Sequence, residues 1–205
     1  MQATDAVFYV AILIMSVVIH EISHGFMAEY FGDRTARNAG RLTLNPLKHL
    51  DLFGSIILPA VLYFSSGFVV GWAKPVPYNP DNLTDRKWGT IAVASAGIIA
   101  NICIAILFGL ILRFSVGFNV PAGFNFIISS IVVINLALAI FNLVPIPPLD
   151  GSKILFEILP ESFYFIVRAL EQYSLVFLII FVVFLSNYLF PVMAFLYHII
   201  TGLPI

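Results

Sequence analysis

Charge is what this 205-residue sequence has least of: Asp, Glu, Lys and Arg make up 10% of it, where a soluble domain has roughly a quarter. The few charges nearly cancel, ten basic against eleven acidic for a net charge of -1, so no basic surface for nucleic acid is available and no nucleic-acid partner is expected. There is a single cysteine, Cys103, which excludes an internal disulfide and a Cys-based zinc site and leaves packing as its role. Met1 to Asp5 carries no basic side chain, so the apolar run after it lacks the positive front of a cleaved secretory signal and is expected to stay in the protein as a helix. No fixed-period repeat or low-complexity tract interrupts the chain.

What remains is apolar. Hydrophobic residues are 60% of the chain and the mean hydropathy is +1.01, which define an integral membrane protein, read here as one compact all-α polytopic domain over residues 1–205. Three runs are clear spans: Ala6 to Phe31, Trp88 to Leu112 and Phe126 to Val144. Arg34, Arg37, Arg41 and Lys48 follow the first and mark its cytoplasmic end, where a solvated loop accounts for them. Leu52 to Val70 is long enough to cross but holds Gly54, Pro59, Ser65, Ser66 and Gly67. If it crosses, Lys74, Arg86, Lys87 and Lys153 fall outside; if it dips and returns, they join the first basic cluster and only Arg113 lies outside. The positive-inside tendency therefore favours a re-entrant segment. Arg41 to Pro46 alternates polar and apolar residues and reads as a short strand, and Gly71 to Pro80, with three closely spaced prolines, reads as an extended, edge-like segment that could pair with a substrate strand. Ser152 to Arg168 has the mixture of an interfacial helix, and Leu175 to Ile200, broken at Ser186, Asn187 and Pro191, is either one kinked span or a helical hairpin.

Against this background a few polar residues stand out. His20 and His24 lie four apart, about 40° around a helix, so both imidazoles project from one face and can share a metal. Glu21 sits beside them, completing H-E-x-x-H: two zinc-binding imidazoles and a carboxylate that takes a proton from the attacking water and returns it to a leaving amine. Three ionisable groups in five residues at membrane depth, each costing around 2.5 to 3.5 kcal/mol, need a ligand or a wet cavity to compensate them. Asp150 is a second such group, an acid where Pro145, Pro147 and Pro148 break a transmembrane helix. With the re-entrant topology both clusters lie toward one side of the bilayer and can meet. Asn101 reads as an interhelical hydrogen bond, His49 and Asp51 as a polar pair capping a helix, and His198 as an interfacial histidine.

His20-Glu21-Ile22-Ser23-His24, followed much later by Asn142-Leu143-Val144-Pro145-Ile146-Pro147-Pro148-Leu149-Asp150-Gly151, resembles the site-2 protease family of intramembrane zinc metalloproteases. Arg41 to Pro46, Gly71 to Pro77 and Ala94 to Asn101 are also similar to its short bacterial and archaeal members, so the resemblance runs to about Leu155. One departure is Ile98, where many relatives have proline. The resemblance implies that His20, His24 and Asp150 bind zinc, that Glu21 is the general base and that Asn142 holds the substrate backbone or the oxyanion. It implies a transmembrane protein as substrate, a bilayer as surroundings and a cell-membrane location; the Arg and Lys bias puts the site toward the cytoplasm, and no PDZ or CBS module is expected in this sequence. The rival is a zinc transporter or sensor without peptidase activity. A membrane-anchored protease with a glutamate as third ligand fits less well, because after Glu29 the next glutamate is Glu157.

Overall fold

The computed structural model describes residues 3–51, 54, 57, 73–115, 118 and 120–205. Among these residues every regular element is helical. Helix α1 runs Ala3–Tyr30, a short α2 Thr35–Asn38, α3 Arg86–Ser115, α4 Ala122–Leu143, α5 Asp150–Ile158, α6 Tyr164–Gln172, α7 Ser174–Ile180 and α8 Leu189–Thr201. Among the described residues, three helical stretches are long and apolar enough to cross a membrane: Asp5–Tyr30, Arg86–Ser115 and Gly123–Leu143. They correspond to the three expected spans, with α3 longer at both ends. At about 1.5 Å per residue each covers a hydrocarbon core of about 30 Å.

Helix α3 is the centre of the bundle, packing along α1, α4, α5 and α8. Its apolar end joins α4 and α8 through Ala105, Leu112, Ile128, Val132, Leu136 and Tyr197. At its other end Ala28, Leu83 and Val93 form a smaller cluster with Met27, Phe31 and Tyr78, tying the loop before α3 to the end of α1. Thr84 strengthens that tie, its N–H and hydroxyl both donating to the Phe31 carbonyl.

Helix α4 stops where Pro145 forces the residue before it out of helical backbone; Val144 is extended, at φ -63° and ψ 130°. Two tight turns, Ile146 N–H to Val144 O and Leu149 N–H to Ile146 O, bring the chain straight into α5. The expected interfacial helix over Ser152 to Arg168 is in fact two helices, α5 and α6, separated at Pro160, which starts a 3-10 turn. Residues 161–172 and 174–185 meet at a 75° bend. The break expected near Ser186 and Asn187 is a 3-10 turn, and the 13-residue α8 beyond it is about 20 Å long, too short to cross alone.

Neither expected strand forms among the described residues. Residues 41–46 turn instead, because Asn45 caps a 3-10 helix at Pro46 by accepting from Leu47 N–H at 3.1 Å. Alternation over so few residues is outweighed by Asn-Pro turn chemistry. Residues 73–79 have no regular secondary structure and pair with no strand among the described residues. The re-entrant segment expected over Leu52 to Val70 lies outside the described residues. On its flanks, Lys74 N–H donates to the His49 carbonyl at 2.9 Å.

Candidate metal centre

Ser16, His20 and His24 form one stripe of α1, four residues apart, and all three are buried. The facing surface of α3 presents Val93, Gly97 and Asn101 at the same spacing. Gly97 admits His20: a Cβ there would lie 2.5 to 2.7 Å from three atoms of the imidazole, closer than any methyl group can sit. Val93 fixes the other ring, its carbonyl accepting from His24 Nδ1–H at 2.6 Å. That bond assigns the proton to Nδ1 and turns the Nε2 lone pair inward, the arrangement by which a second partner orients a metal-binding histidine.

Asp150 closes the group. It is the first residue of α5, a position from which a carboxylate commonly faces the free N–H groups of its own helix. Asp150 Oδ2 lies 3.0 Å from His20 Nε2 and 3.1 Å from His24 Nε2, while the two imidazole nitrogens are 3.0 Å apart. The carboxylate's other oxygen accepts from Lys153 Nζ at 3.1 Å, which leaves Oδ2 to face the histidines. Gly151 permits this approach, since a Cβ there would stand 2.2 Å from the Leu143 carbonyl oxygen.

Three ligand atoms from residues up to 130 apart thus make a nearly equilateral triangle that could hold a metal ion. A tetrahedral zinc with bonds of about 2.0 to 2.1 Å needs edges of about 3.3 Å, a small expansion of the triangle. Two neutral imidazoles and a carboxylate suit zinc, and three protein donors leave a fourth position open. All three residues are under a tenth exposed, and an ion shared among them would offset the cost of burying their polar groups. His24 is six residues from the end of α1, about 9 Å, which sets the group below the surface of the bundle at the end carrying Arg34, Arg37 and Arg41.

Glu21, adjacent to His20, accepts a hydrogen bond from Val76 N–H at 2.8 Å through Oε2. Asn142, in the last turn of α4, donates its amide N–H to the Leu138 carbonyl at 2.9 Å. His49 is buried but outside the triangle, with Nε2–H donating to the Thr43 carbonyl at 2.8 Å, and Asp51 caps the chain ahead of it by accepting from Gly54 N–H. His198, exposed, lies 3.3 Å from the Leu203 carbonyl. Asn101 is fully buried, yet among the described residues neither its amide nitrogen nor its oxygen has a partner, so the expected interhelical bond is missing there. That bond is made by Asn135, whose amide donates to Ser16 Oγ at 2.9 Å, one turn from His20.

Sequence reasoning missed three parts of the site. Arg41 is not a solvated loop residue: it is 8% exposed, and its guanidinium donates to the carbonyls of Lys74 and Pro75. The Val93 carbonyl is a backbone group that no residue type announces. Lys153 carried a usable signal in its spacing three residues after Asp150 on a helix.

A buried triangle of two histidines and an aspartate, beside a glutamate, inside a bundle of membrane-spanning helices is a donor set that a membrane-embedded metallohydrolase could use. Comparison with known sequences gives the family. The chain belongs to peptidase family M50, the site-2 protease family, whose model matches residues 8–132 and 119–186. It is 37% identical to YwhC of Bacillus subtilis, named as a candidate zinc metalloprotease, over 88% of this chain and 83% of that one. It is also 33% identical to Rip2 of Mycolicibacterium smegmatis over 67% of this chain and 52% of Rip2, and 28% identical to Rip2 of Mycobacterium tuberculosis over 82% and 63%; both carry the same kind of name. No solved structure matches. The protein is an integral membrane zinc metalloprotease, and the enzyme reading stands over the transporter alternative.

Proposed function

We propose that this protease is an intramembrane endopeptidase that hydrolyses peptide bonds within or near transmembrane helices of membrane-protein substrates, as a single domain over residues 1–205 in the cell membrane with its site toward the cytoplasm. The observation that carries the reading is the convergence of His20 Nε2, His24 Nε2 and Asp150 Oδ2 to within 3.1 Å of one another inside the helical bundle. A protease acting only on soluble chains has no need of a site placed about 9 Å below the end of a membrane span.

His20, His24 and Asp150 would hold the zinc. When bound, zinc supplies a Lewis acid that polarises the scissile carbonyl and lowers the pKa of a coordinated water toward about 7. Glu21 takes the proton from the attacking water and hands it to the leaving amine, a role that requires a carboxylate within hydrogen-bond reach of both. Asn142, at the end of α4 and eight residues before Asp150, supplies an amide to hold the substrate backbone or the developing oxyanion. A helical substrate has its amides tied up in its own hydrogen bonds, so it must unwind locally before attack. Residues 73–79, lying against Glu21 through Val76, are the surface on which the unwound strand would rest.

Glu21→Gln tests the reading. The amide is isosteric but cannot accept a proton, so zinc content should match the wild type while cleavage of a single-span reporter in detergent falls by about 10² to 10⁴. Persistent cleavage by the variant would remove Glu21 from the mechanism. Cleavage confined to a soluble version of the reporter would remove the intramembrane substrate.

A further inference from the structure

The side chain of Glu21 does not find its orientation unaided. Its Oε2 is engaged at 2.8 Å by the backbone N–H of Val76, a residue 55 positions away. Val76 is itself immobilised from several directions. Its side chain is 6% exposed and fits where α1 has Gly25; a Cβ at that glycine would stand 2.9 Å from Val76 Cγ1 and 2.5 Å from Leu42 Cδ2. Before it, the Arg41 guanidinium donates through Nη2 to the carbonyls of Lys74, at 2.8 Å, and Pro75, at 3.2 Å. Lys74 N–H is fixed to the His49 carbonyl, and beyond Val76 the N–H of Asn79 donates to Asp33 Oδ2 at 2.7 Å. Pro75 and Pro77 fix φ on both sides and have no N–H, so Val76 carries the one amide of residues 75–77 that can donate.

We propose that residues 74–76, gripped by Arg41, are a positioning element for the general base: Arg41 holds the peptide, and the Val76 N–H holds the Glu21 carboxylate in the direction from which it serves the reacting water. The inference rests on the assignment of Glu21 as base. Three features support it. The N–H reaches a single carboxylate oxygen, and a carboxylate offers two, with about four lone-pair sites. The buried guanidinium is spent on two backbone carbonyls rather than on an acid, so its effect is to fix the path of the chain. The sequence places a proline on each side of the donor. A segment that served only as a resting surface for substrate would have no need to aim an N–H at the catalytic carboxylate.

The two roles separate kinetically. Positioning of the base changes kcat, whereas docking alone changes KM. The experiment uses the full chain in detergent with a single-span reporter helix interrupted by Gly-Pro, and compares the wild type, Glu21→Gln, Arg41→Met and Val76→Pro. For Arg41→Met, kcat should fall about tenfold or more, whatever rise in KM the loosened docking surface brings, because small misplacements of a catalytic group carry losses of that order. Zinc content should stay at the wild-type level, and backbone amide hydrogen exchange across 73–79 should speed up. An unchanged kcat, or a rise in KM alone, overturns the proposal. If Arg41→Met does not fold, Val76→Pro, which deletes the donor itself, carries the same two outcomes. Cleavage by Glu21→Gln would bring down the base assignment and this inference together. An inert Glu21→Gln with wild-type kcat in Arg41→Met would bring down the inference alone.

Discussion

The two ends of the bundle are built from different material. At one end α1, α3 and α5 meet over His20, His24 and Asp150, and the loops above them are pinned by the buried side chains of Asp33, Arg41 and His49. At the other, α3, α4 and α8 meet over alanine, leucine, isoleucine and valine, with Tyr197 as the one polar tip in the cluster. In lipid the apolar end has little to gain from burial as such, because acyl chains are as apolar as leucine; packing holds it, helped by a few hydrogen bonds such as that between Ser129 and Tyr197. Directional bonds do the work at the polar end. Position there is therefore specified to fractions of an ångström, and tolerance is low.

The largest break in that contrast should come from Asp150→Ala. It removes one corner of the proposed ligand triangle and leaves two buried imidazoles facing each other, so zinc should be lost on dialysis and cleavage should disappear. Structural zinc sites are worth about 10 kcal/mol or more in apparent binding energy, and a two-histidine remnant cannot retain that. Metal analysis beside the cleavage assay checks it; a variant that keeps stoichiometric zinc would show that Asp150 is no ligand. Next in size is Gly97→Ala. The added methyl would collide with the His20 ring, and because it displaces a ligand without removing one, zinc affinity or activity should fall by about 10- to 100-fold. An equal methyl at Gly123, with nothing within 4 Å, should change neither, and this pair sharpens the claim that tolerance differs by region.

How much of this was legible in the sequence follows the same division. The three spans, the H-E-x-x-H pair and the acid at the proline break could be read because each is a local pattern: apolar length, four-residue spacing, a helix breaker next to a charge. The meeting of Asp150 with His20 and His24 was legible from the resemblance of the two motifs to the site-2 protease family, with the topology favoured by the distribution of Lys and Arg in agreement. What was not legible is whatever depends on backbone groups finding distant partners. Arg41 looked like one more loop charge because its acceptors, the carbonyls of Lys74 and Pro75, belong to every residue type alike. The strand expected over Arg41 to Pro46 failed for a related reason: alternation in a short run says nothing about whether a partner edge exists. The interhelical bond was expected at Asn101 and is made by Asn135, since one asparagine on a span gives no sign of which neighbour faces it.

Asp33 tests the polar rim. Fully buried, it accepts from Thr35 N–H and Oγ–H, from Asn79 N–H and from the Asn82 amide. Burial pushes its carboxyl upward, but those donors outweigh burial and hold it below the usual carboxylate value. A depressed folded-state pKa means stability that is present above the unfolded value and lost as pH falls through the folded one. Asp33→Asn should therefore cost about 1 to 3 kcal/mol at neutral pH, and the gap to the wild type should close as pH drops below about 4. Thermal unfolding in detergent at pH 7 and at acid pH measures both; a gap that widens in acid would reverse the sign and refute the account.

The smallest effect belongs to the apolar end. Tyr197, 3% exposed, shares a hydrogen bond of 2.8 Å with Ser129 Oγ. Tyr197→Phe deletes that bond and leaves the ring in its packing among Leu112, Ile128, Val132 and Leu136. Hydrogen bonds between membrane helices average about 0.6 kcal/mol, because the separated helices find other partners, so the melting temperature should fall by a degree or two at most. Zinc content and kcat should not move, since the bond lies on the stretches of α4 and α8 that never approach the triangle. A loss larger than that of Asp33→Asn would mean that a single polar contact holds the apolar end in place after all, and the division of labour between the two ends would have to be abandoned.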